Sequence, residues 1–255
     1  MANFLDIIFN PWLGPLLNLP AFWAILIISV FITLLITVVY KYTTNQTEMK
    51  RIKDDLKKYQ KEMRETKDLK KLKVIQKKSL ELNMKYMMAS FKSTLYTFIP
   101  IIIIFAWLAM HIAYYPITPQ QEFTVTALFG DGAKGNISMT TTPDLKFITA
   151  PMQEIIDGKA TWKLQAGDSG TYKLNVNYNS EEYNMQVLVT TERAYETPEK
   201  PIRDSKLKML RIDNAKVHPF GEKFNIYGWY PGWLATYIAF SLLLSIGFRK
   251  VLKVY

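Results

Sequence analysis

The stretch FIPIIIIFAWLAM, residues 98–110, contains no charged side chain and would present apolar residues on every face of a helix. It lies within a longer uncharged run, 93–121, and two similar runs occupy 7–40 and 224–248. A helix rises about 1.5 Å per residue and the hydrocarbon layer of a bilayer is about 30 Å thick, so a span needs about 20 such residues. The sequence therefore predicts three membrane-spanning helices, at residues 21–40, 95–115 and 231–248.

Aromatic residues favour membrane spans over buried helices of a soluble protein, because amphipathic rings settle at membrane–water interfaces. Eight of them lie next to one predicted membrane face: Trp12, Trp23, Tyr114, Tyr115, Tyr227, Trp229, Tyr230 and Trp233. The first apolar run is too long for a signal peptide and has no basic residue before Lys41, so we expect it in the mature protein. Residues 1–20 are expected to form an outer interfacial segment that rests on Phe4, Ile7, Ile8, Trp12 and Leu13.

Basic residues predict the orientation. Residues 41–94 contain 16 Lys and Arg against 7 Asp and Glu, so this segment carries nearly all of the net charge of +10. The tail, 249–255, adds three basic residues, whereas the first 20 residues contain none. The three spans predict a multi-pass protein of the cell membrane, and the positive-inside rule predicts how it is oriented. Its N-terminus and residues 116–230 would lie outside, and residues 41–94 and the C-terminus would lie in the cytosol.

The cytosolic segment 41–94 shows heptad-like spacing. Mostly apolar residues recur at intervals of three and four on either side of residues 66–68 and form a predicted seam: Met49, Ile52, Leu56, Tyr59 and Met63, then Leu72, Ile75, Ser79, Leu82 and Tyr86. This pattern predicts an antiparallel coiled-coil hairpin. Basic residues crowd its tip: Lys57, Lys58, Lys61, Arg64, Lys67, Lys70, Lys71 and Lys73. They are compatible with a solvated face that only fixes topology, or with contact to ribosomal RNA or anionic lipid headgroups.

Hydroxyl groups recur every four residues in two of the spans. Ser29, Thr33 and Thr37 lead to Lys41 in the first span, and Tyr237, Ser241 and Ser245 lead to Arg249 in the third. Tyr96 and Thr97 open the second span at the same predicted depth. Such stripes either let membrane helices pack closely or line a groove that opens to the cytosol. Their concentration in the cytosolic half favours the groove.

Methionines cluster where the hairpin returns to the membrane, at Met84, Met87 and Met88. Flexible, polarizable side chains can hold apolar segments of varied shape, and they are also common in ordinary core packing. Both interpretations remain open from the residues alone.

The outer segment, 116–230, is predicted to be a β-sandwich. Five stretches rich in β-branched and aromatic residues are predicted strands: 123–129, 136–142, 159–164, 171–178 and 183–191. The run from Asp168 to Tyr172 has the form of a tyrosine corner, which indicates an immunoglobulin-like domain without a disulfide. The Gly-rich stretch 130–135 is expected to be a hairpin turn rather than a dinucleotide-binding loop. Asn136 begins a glycosylation sequon.

Several chemical groups are missing from the sequence. There is no phosphate-binding loop and no cysteine, and the histidines are His111 and His218. Metal clusters and His-based nucleophilic catalysis therefore lack their parts, so we expect neither an enzyme nor a cofactor.

Two stretches carry a resemblance to a known family. The hairpin sequence EMKRIKDDLKKYQKEM, 48–63, and the Met-rich sequence LELNMKYMMASFKSTLYTFIP, 80–100, together with the first two spans, resemble the archaeal YidC-like proteins of the Oxa/YidC insertase superfamily. The third subunit of the endoplasmic reticulum membrane protein complex belongs to the same superfamily. The similarity covers residues 15–115 and 228–255, and the large outer domain departs from shorter relatives.

The resemblance implies a passive membrane insertase. Its partners would be the lipid bilayer, nascent hydrophobic polypeptides, the ribosome and further membrane subunits. The hydroxyl stripes would line the substrate groove, and Met84, Met87 and Met88 would capture the client. Bacterial relatives carry an arginine within this groove, whereas Lys41 and Arg249 are expected at its mouth. An ion channel or transporter subunit and a membrane scaffold or adhesion protein are the alternatives.

Overall fold

The computed structural model describes residues 4–203, 205–221 and 223–254. The first three residues of the predicted interfacial segment and the last residue of the predicted tail lie outside this range. The chain divides into two compact units, one made of Met1–Ala21 and Ala106–Trp233 and the other of Phe22–Phe105 and Leu234–Tyr255.

Five α-helices lie in the described part of the chain: α1 Phe4–Leu13, α2 Ala21–Thr43, α3 Gln46–Glu65, α4 Leu69–His111 and α5 Trp233–Val251. Three of them, α2, α4 and α5, are long and apolar enough to cross a membrane. The helix α4 contains both the returning arm of the hairpin and the second predicted span in one continuous helix of 43 residues. Pro100 lies within this helix without ending it.

The hairpin helices α3 and α4 bury the positions that the spacing singles out. Asn45 caps α3, because its side-chain oxygen accepts a hydrogen bond from the Glu48 N–H at 3.1 Å. Asp68 does the same for the start of α4, accepting from the Lys70 N–H at 2.8 Å. All ten predicted seam positions are buried or half-buried, and Met49 is the most deeply buried of them. The apolar sides of both helices are therefore the sides withdrawn from solvent.

In the other unit, α1 is attached to the last residues of α4. The Nε2 atom of His111 lies 3.4 Å from an Asp6 carboxylate oxygen, and the Trp107 indole N–H donates to the Asn10 side chain at 3.0 Å. The opposite side of α1 exposes Phe4, Ile7 and Trp12. This division into a polar, attached side and an exposed apolar side is typical of a helix that lies in a membrane interface.

The β domain consists of two antiparallel sheets around one apolar core. The strands are β1 Glu122–Phe129, β2 Asn136–Thr142, β3 Lys146–Phe147, β4 Met152–Glu154, β5 Lys159–Gln165, β6 Gly170–Tyr178, β7 Glu181–Val189, β8 Glu199–Pro201 and β9 Leu207–Ile212. One sheet has the order β3-β5-β1-β9-β8 and the other has the order β4-β2-β6-β7. Inward-facing residues alternate along the strands, with Trp162 and Leu174 fully buried.

Two expectations for this domain were wrong. No strand was expected after Thr191, yet β9 lies inside its sheet, where it pairs with β1 on one side and β8 on the other. The Gly130–Gly135 stretch was expected to be a hairpin turn, but β1 and β2 belong to different sheets, so it is a crossover. The strand β1 finds its partners in β5 and β9 instead.

The predicted tyrosine corner is present as a hydrogen bond. The Tyr172 hydroxyl donates to the Asp168 carbonyl oxygen at 2.9 Å. A Cβ atom added to the neighbouring Gly167 would lie 2.6 Å from that hydroxyl oxygen, so only glycine fits there without displacing the ring.

Candidate functional site

A cavity of about 200 Å³ lies between α2 and α5. Five of the hydroxyl-bearing residues singled out by the sequence line it: Thr33, Thr37, Tyr237, Ser241 and Ser245. The remaining lining residues are Ile36, Tyr40, Leu242, Arg249 and Val254. The two four-residue stripes therefore face a common space.

Thr33 differs from Thr37 and Ser241 in its hydrogen bonding. Its side chain is only 4% exposed, and its hydroxyl has no hydrogen-bond partner within the described part of the chain. The Thr37 hydroxyl donates to the Thr33 carbonyl oxygen at 2.7 Å, and the Ser241 hydroxyl donates to the Ile238 carbonyl oxygen at 3.0 Å. Burying a hydroxyl without a hydrogen-bond partner costs free energy, so we expect water or a polar ligand beside Thr33 in the cavity.

Four predicted groove residues do not line the cavity. Ser29 is fully buried, and its hydroxyl donates to the Ile25 carbonyl oxygen at 2.7 Å. Lys41 lies beyond the lining residues on α2. Tyr96 and Thr97 lie on α4, which contributes no residue to the lining among the described residues; Tyr96 is exposed and Thr97 donates to the Thr94 carbonyl oxygen.

The helix α4 uses its hydroxyls to pack against α2 instead. The Thr43 hydroxyl donates to the Ser93 hydroxyl at 2.7 Å, and the Tyr40 and Ser90 hydroxyl oxygens lie 3.1 Å apart. Ser93 is buried. Close packing against α2 therefore explains the hydroxyls of Ser90 and Ser93, whereas an open space remains between α2 and α5.

Arg249 was expected at the mouth of the groove, but it lines the cavity itself. Its guanidinium carbon lies 5.1 Å from the centre of the Tyr40 ring, a distance at which a cation and an aromatic face attract each other. Tyr40 and Arg249 were missed as lining residues. Tyr40 lies three residues beyond Thr37, and Arg249 lies four residues beyond Ser245, so each is about one turn further along the helix face that lines the cavity.

The methionine cluster divides between two sides of α4. Met84 and Met88 line a groove of about 440 Å³ together with Met49 and Ile52 of α3. Met87 does not line it, although its side chain is exposed. The structure therefore brings two of the three predicted client-capture residues together on a mainly apolar surface, which Glu48 and Lys85 also line.

The basic tip of the hairpin is exposed at every predicted position: Lys57, Lys58, Lys61, Arg64, Lys67, Lys70, Lys71 and Lys73. Lys58 and Lys61 lie 4.0 Å from Glu62 and Glu65 in i,i+4 pairs. Exposed pairs of this kind are weak, so they leave most of the positive charge available to an anionic surface.

The chain was compared with protein families, curated proteins and solved structures. No significant match was found among the curated proteins or the solved structures. A family profile described as integral membrane protein EMC3/TMCO1-like matches residues 6–140, which run from within α1 to within β2. Because this match covers more than half of the chain, the protein belongs to the EMC3/TMCO1-like family of integral membrane proteins, which is part of the Oxa1/YidC/Alb3 insertase superfamily.

Proposed function

We propose that this protein is a membrane insertase that passively transfers hydrophobic segments of nascent proteins from the cytosol into the bilayer. The observation that carries the proposal is the α2–α5 cavity, which is lined by six hydroxyl-bearing residues, among them Thr33, whose hydroxyl has no hydrogen-bond partner among the described residues. Membership of an insertase superfamily supports it. Among its relatives, we place the chain with the archaeal YidC-like proteins.

The free energy for the transfer comes from the client. Each CH₂ group that leaves water favours the bilayer by about 0.8 kcal/mol, so a leucine-rich segment needs no nucleotide hydrolysis to enter. The barrier is the polar flank that must cross with it. Water held by the hydroxyls of α2 and α5 shortens the dry part of that path. Long or highly charged flanks are therefore handled poorly.

The charge distribution supports one orientation of this path. Residues 41–94 and the tail lie in the cytosol, and the N-terminus and the β domain lie outside. In this orientation the cavity end that contains Tyr40 and Arg249 opens to the cytosol, because both lie at the cytosolic ends of their helices. The outer β domain is of the immunoglobulin-like class.

The client first meets the hairpin. We propose that α3 and the start of α4 form an antiparallel coiled coil, supported by the burial of its seam positions. The exposed methionines beside the seam bind the apolar client segment, since flexible thioether side chains adapt to different shapes. The basic tip contacts the ribosomal RNA surface, and further membrane subunits complete the assembly.

Site-specific crosslinking tests the proposal. A photoreactive residue is placed at Thr33, Ser245 or Met88, and ribosomes carrying a stalled hydrophobic nascent chain are added to membranes that contain the protein. The matched control is Leu243, which lies on the same helix as Ser245 and is 70% exposed on a side away from the cavity. We expect adducts from the three test positions and none from Leu243.

Two results would count against insertion. Equal adducts from Leu243 and Ser245 would indicate a client that slides in lipid rather than in the cavity. No adduct from any position, together with ion conductance of the purified protein in planar bilayers, would favour a channel.

A further inference from the structure

The segment that leads into α5 forms a tight hairpin of aromatic residues. Ile226 and Trp229 pair as an antiparallel bridge, with the N–H group of each donating to the carbonyl oxygen of the other at 2.9 and 3.0 Å. Tyr227 and Gly228 form the turn between them, with φ angles of +49° and +85°. The Gly228 N–H donates to the Asn225 side chain. These bonds fix the backbone of the turn and hold the Tyr227 ring at its tip.

Tyrosine is an unfavourable residue for this position. A two-residue hairpin turn with positive φ at both central positions favours Asn, Asp or Gly, because a Cβ atom crowds the backbone there. The side chain of Tyr227 is fully exposed, so packing against the described residues does not offset this cost. A strained residue that gains no packing from the described residues points to a contact outside the chain.

The surroundings of Tyr227 indicate which contact this is. Residues 224–248 contain no charged side chain. The aromatic and aliphatic side chains beside the turn are exposed as well: Phe224, Ile226, Trp229 and Tyr230. An uncharged apolar surface of this kind is typical of a protein or membrane contact. Tyr230 is three residues before Trp233, where the candidate span α5 begins, so chain connectivity keeps this hairpin at the membrane surface and favours lipid.

We propose that residues 224–230 form an aromatic wedge that inserts the ring of Tyr227 into the boundary between headgroups and acyl chains, in the leaflet that the N-terminal end of α5 enters. The wedge anchors the start of α5 at a fixed depth, because amphipathic rings resist movement in either direction from this boundary. It does not depend on the proposed insertase activity.

Fluorescence quenching by lipids tests the wedge in the full-length protein. The chain contains no cysteine, so a single-cysteine variant can be labelled at one site. Tyr227→Cys carries an environment-sensitive fluorophore in nanodiscs that hold one copy of the protein in phosphatidylcholine. The lipids carry a nitroxide either near the headgroup end or near the methyl end of the acyl chain. Asp131→Cys, in the exposed crossover between β1 and β2, is the matched control.

We expect blue-shifted emission from position 227 and at least twofold stronger quenching by the shallow nitroxide than by the deep one, with neither effect at position 131. Quenching at position 227 no stronger than at position 131 would overturn the proposal. Blue-shifted emission without quenching by either lipid would also overturn it, since it would place the ring against protein. Trp229→Cys provides a second site with the same expected result if the turn does not tolerate the first substitution.

Discussion

Replacing Thr33 by valine distinguishes a hydrated groove between α2 and α5 from dry packing of the two helices. Valine keeps the shape of threonine and replaces its hydroxyl with a methyl group; in this protein that hydroxyl is buried and has no partner within the described residues. If the space between α2 and α5 is dry, the change removes an unsatisfied polar group whose burial costs about 1–3 kcal/mol, so the protein becomes more stable and its activity is unchanged.

If the space holds water, the same change lowers the insertion rate. The hydroxyl then contributes a hydrogen bond worth about 0.5–1.5 kcal/mol to the hydration of a passing polar flank. Losing that contribution from the transition state slows insertion about two- to tenfold, because about 1.4 kcal/mol corresponds to a factor of ten in rate. Thr37→Val should have a smaller effect, since the Thr37 hydroxyl is already bonded to the Thr33 carbonyl oxygen.

The assay follows insertion of a single-span client into proteoliposomes by protease protection, and the thermal unfolding of each variant is measured in parallel. Ser29→Ala is the matched control, because Ser29 belongs to the same stripe on α2 and does not line the cavity. The reasoning is refuted if Thr33→Val inserts clients at the wild-type rate and unfolds at a higher temperature.

Three further predictions concern other parts of the chain. Gly167→Ala should lower the unfolding free energy of the β domain by about 1–3 kcal/mol in thermal denaturation, because its Cβ would overlap the Tyr172 hydroxyl; a wild-type unfolding curve would contradict this. Burial raises the pKa of Tyr195 to about 12, so the stability that its neutral phenol contributes is fully present below pH 10 and is lost as the pH rises through 12. The absorbance titration of wild type minus Tyr195→Phe should therefore show a step near pH 12, and a step near pH 10 would refute it. Met88→Ala should weaken photocrosslinking to a nascent chain more than Met87→Ala does, because Met88 lines the groove on the hairpin and Met87 does not. Equal losses from the two variants would show that this groove does not bind the client.

The sequence predicted best those features that depend on local periodicity. The spacing of Met49 and Ile52 identified the buried side of α3, because residues three and four apart share a helix face whatever lies around them. The hydroxyl stripes of α2 and α5 were found in the same way. Which stripe members line the cavity depends on how each helix is rotated and tilted, and the spacing within one helix carries no such information. Ser29 and Thr33 are equivalent by spacing, yet they have different surroundings.

Features that depend on distant pairing were missed. The strand β9, with the sequence LKMLRI, is interrupted by Lys208 and Arg211 and has a weak strand pattern of its own. It becomes a central strand because β1, some 80 residues earlier, supplies its partner. The Gly130–Gly135 stretch has the local chemistry of a hairpin turn, but the pairing of β1 with β5 and β9 makes it a crossover between sheets. Long-range register is not encoded in a local turn signal.

Thiol accessibility tests most directly whether the space between α2 and α5 is an aqueous groove open to one compartment. Single cysteines at Thr33, Ser245 and Leu243 are exposed, in sealed vesicles of known orientation, to a membrane-impermeant maleimide added from the hairpin side or from the β-domain side. Our account predicts labelling of the Thr33 and Ser245 positions from the hairpin side alone, and no labelling of Leu243, which faces away from the cavity. Unlabelled Thr33 and Ser245 positions in the folded protein, or labelling of them from the β-domain side, would contradict it.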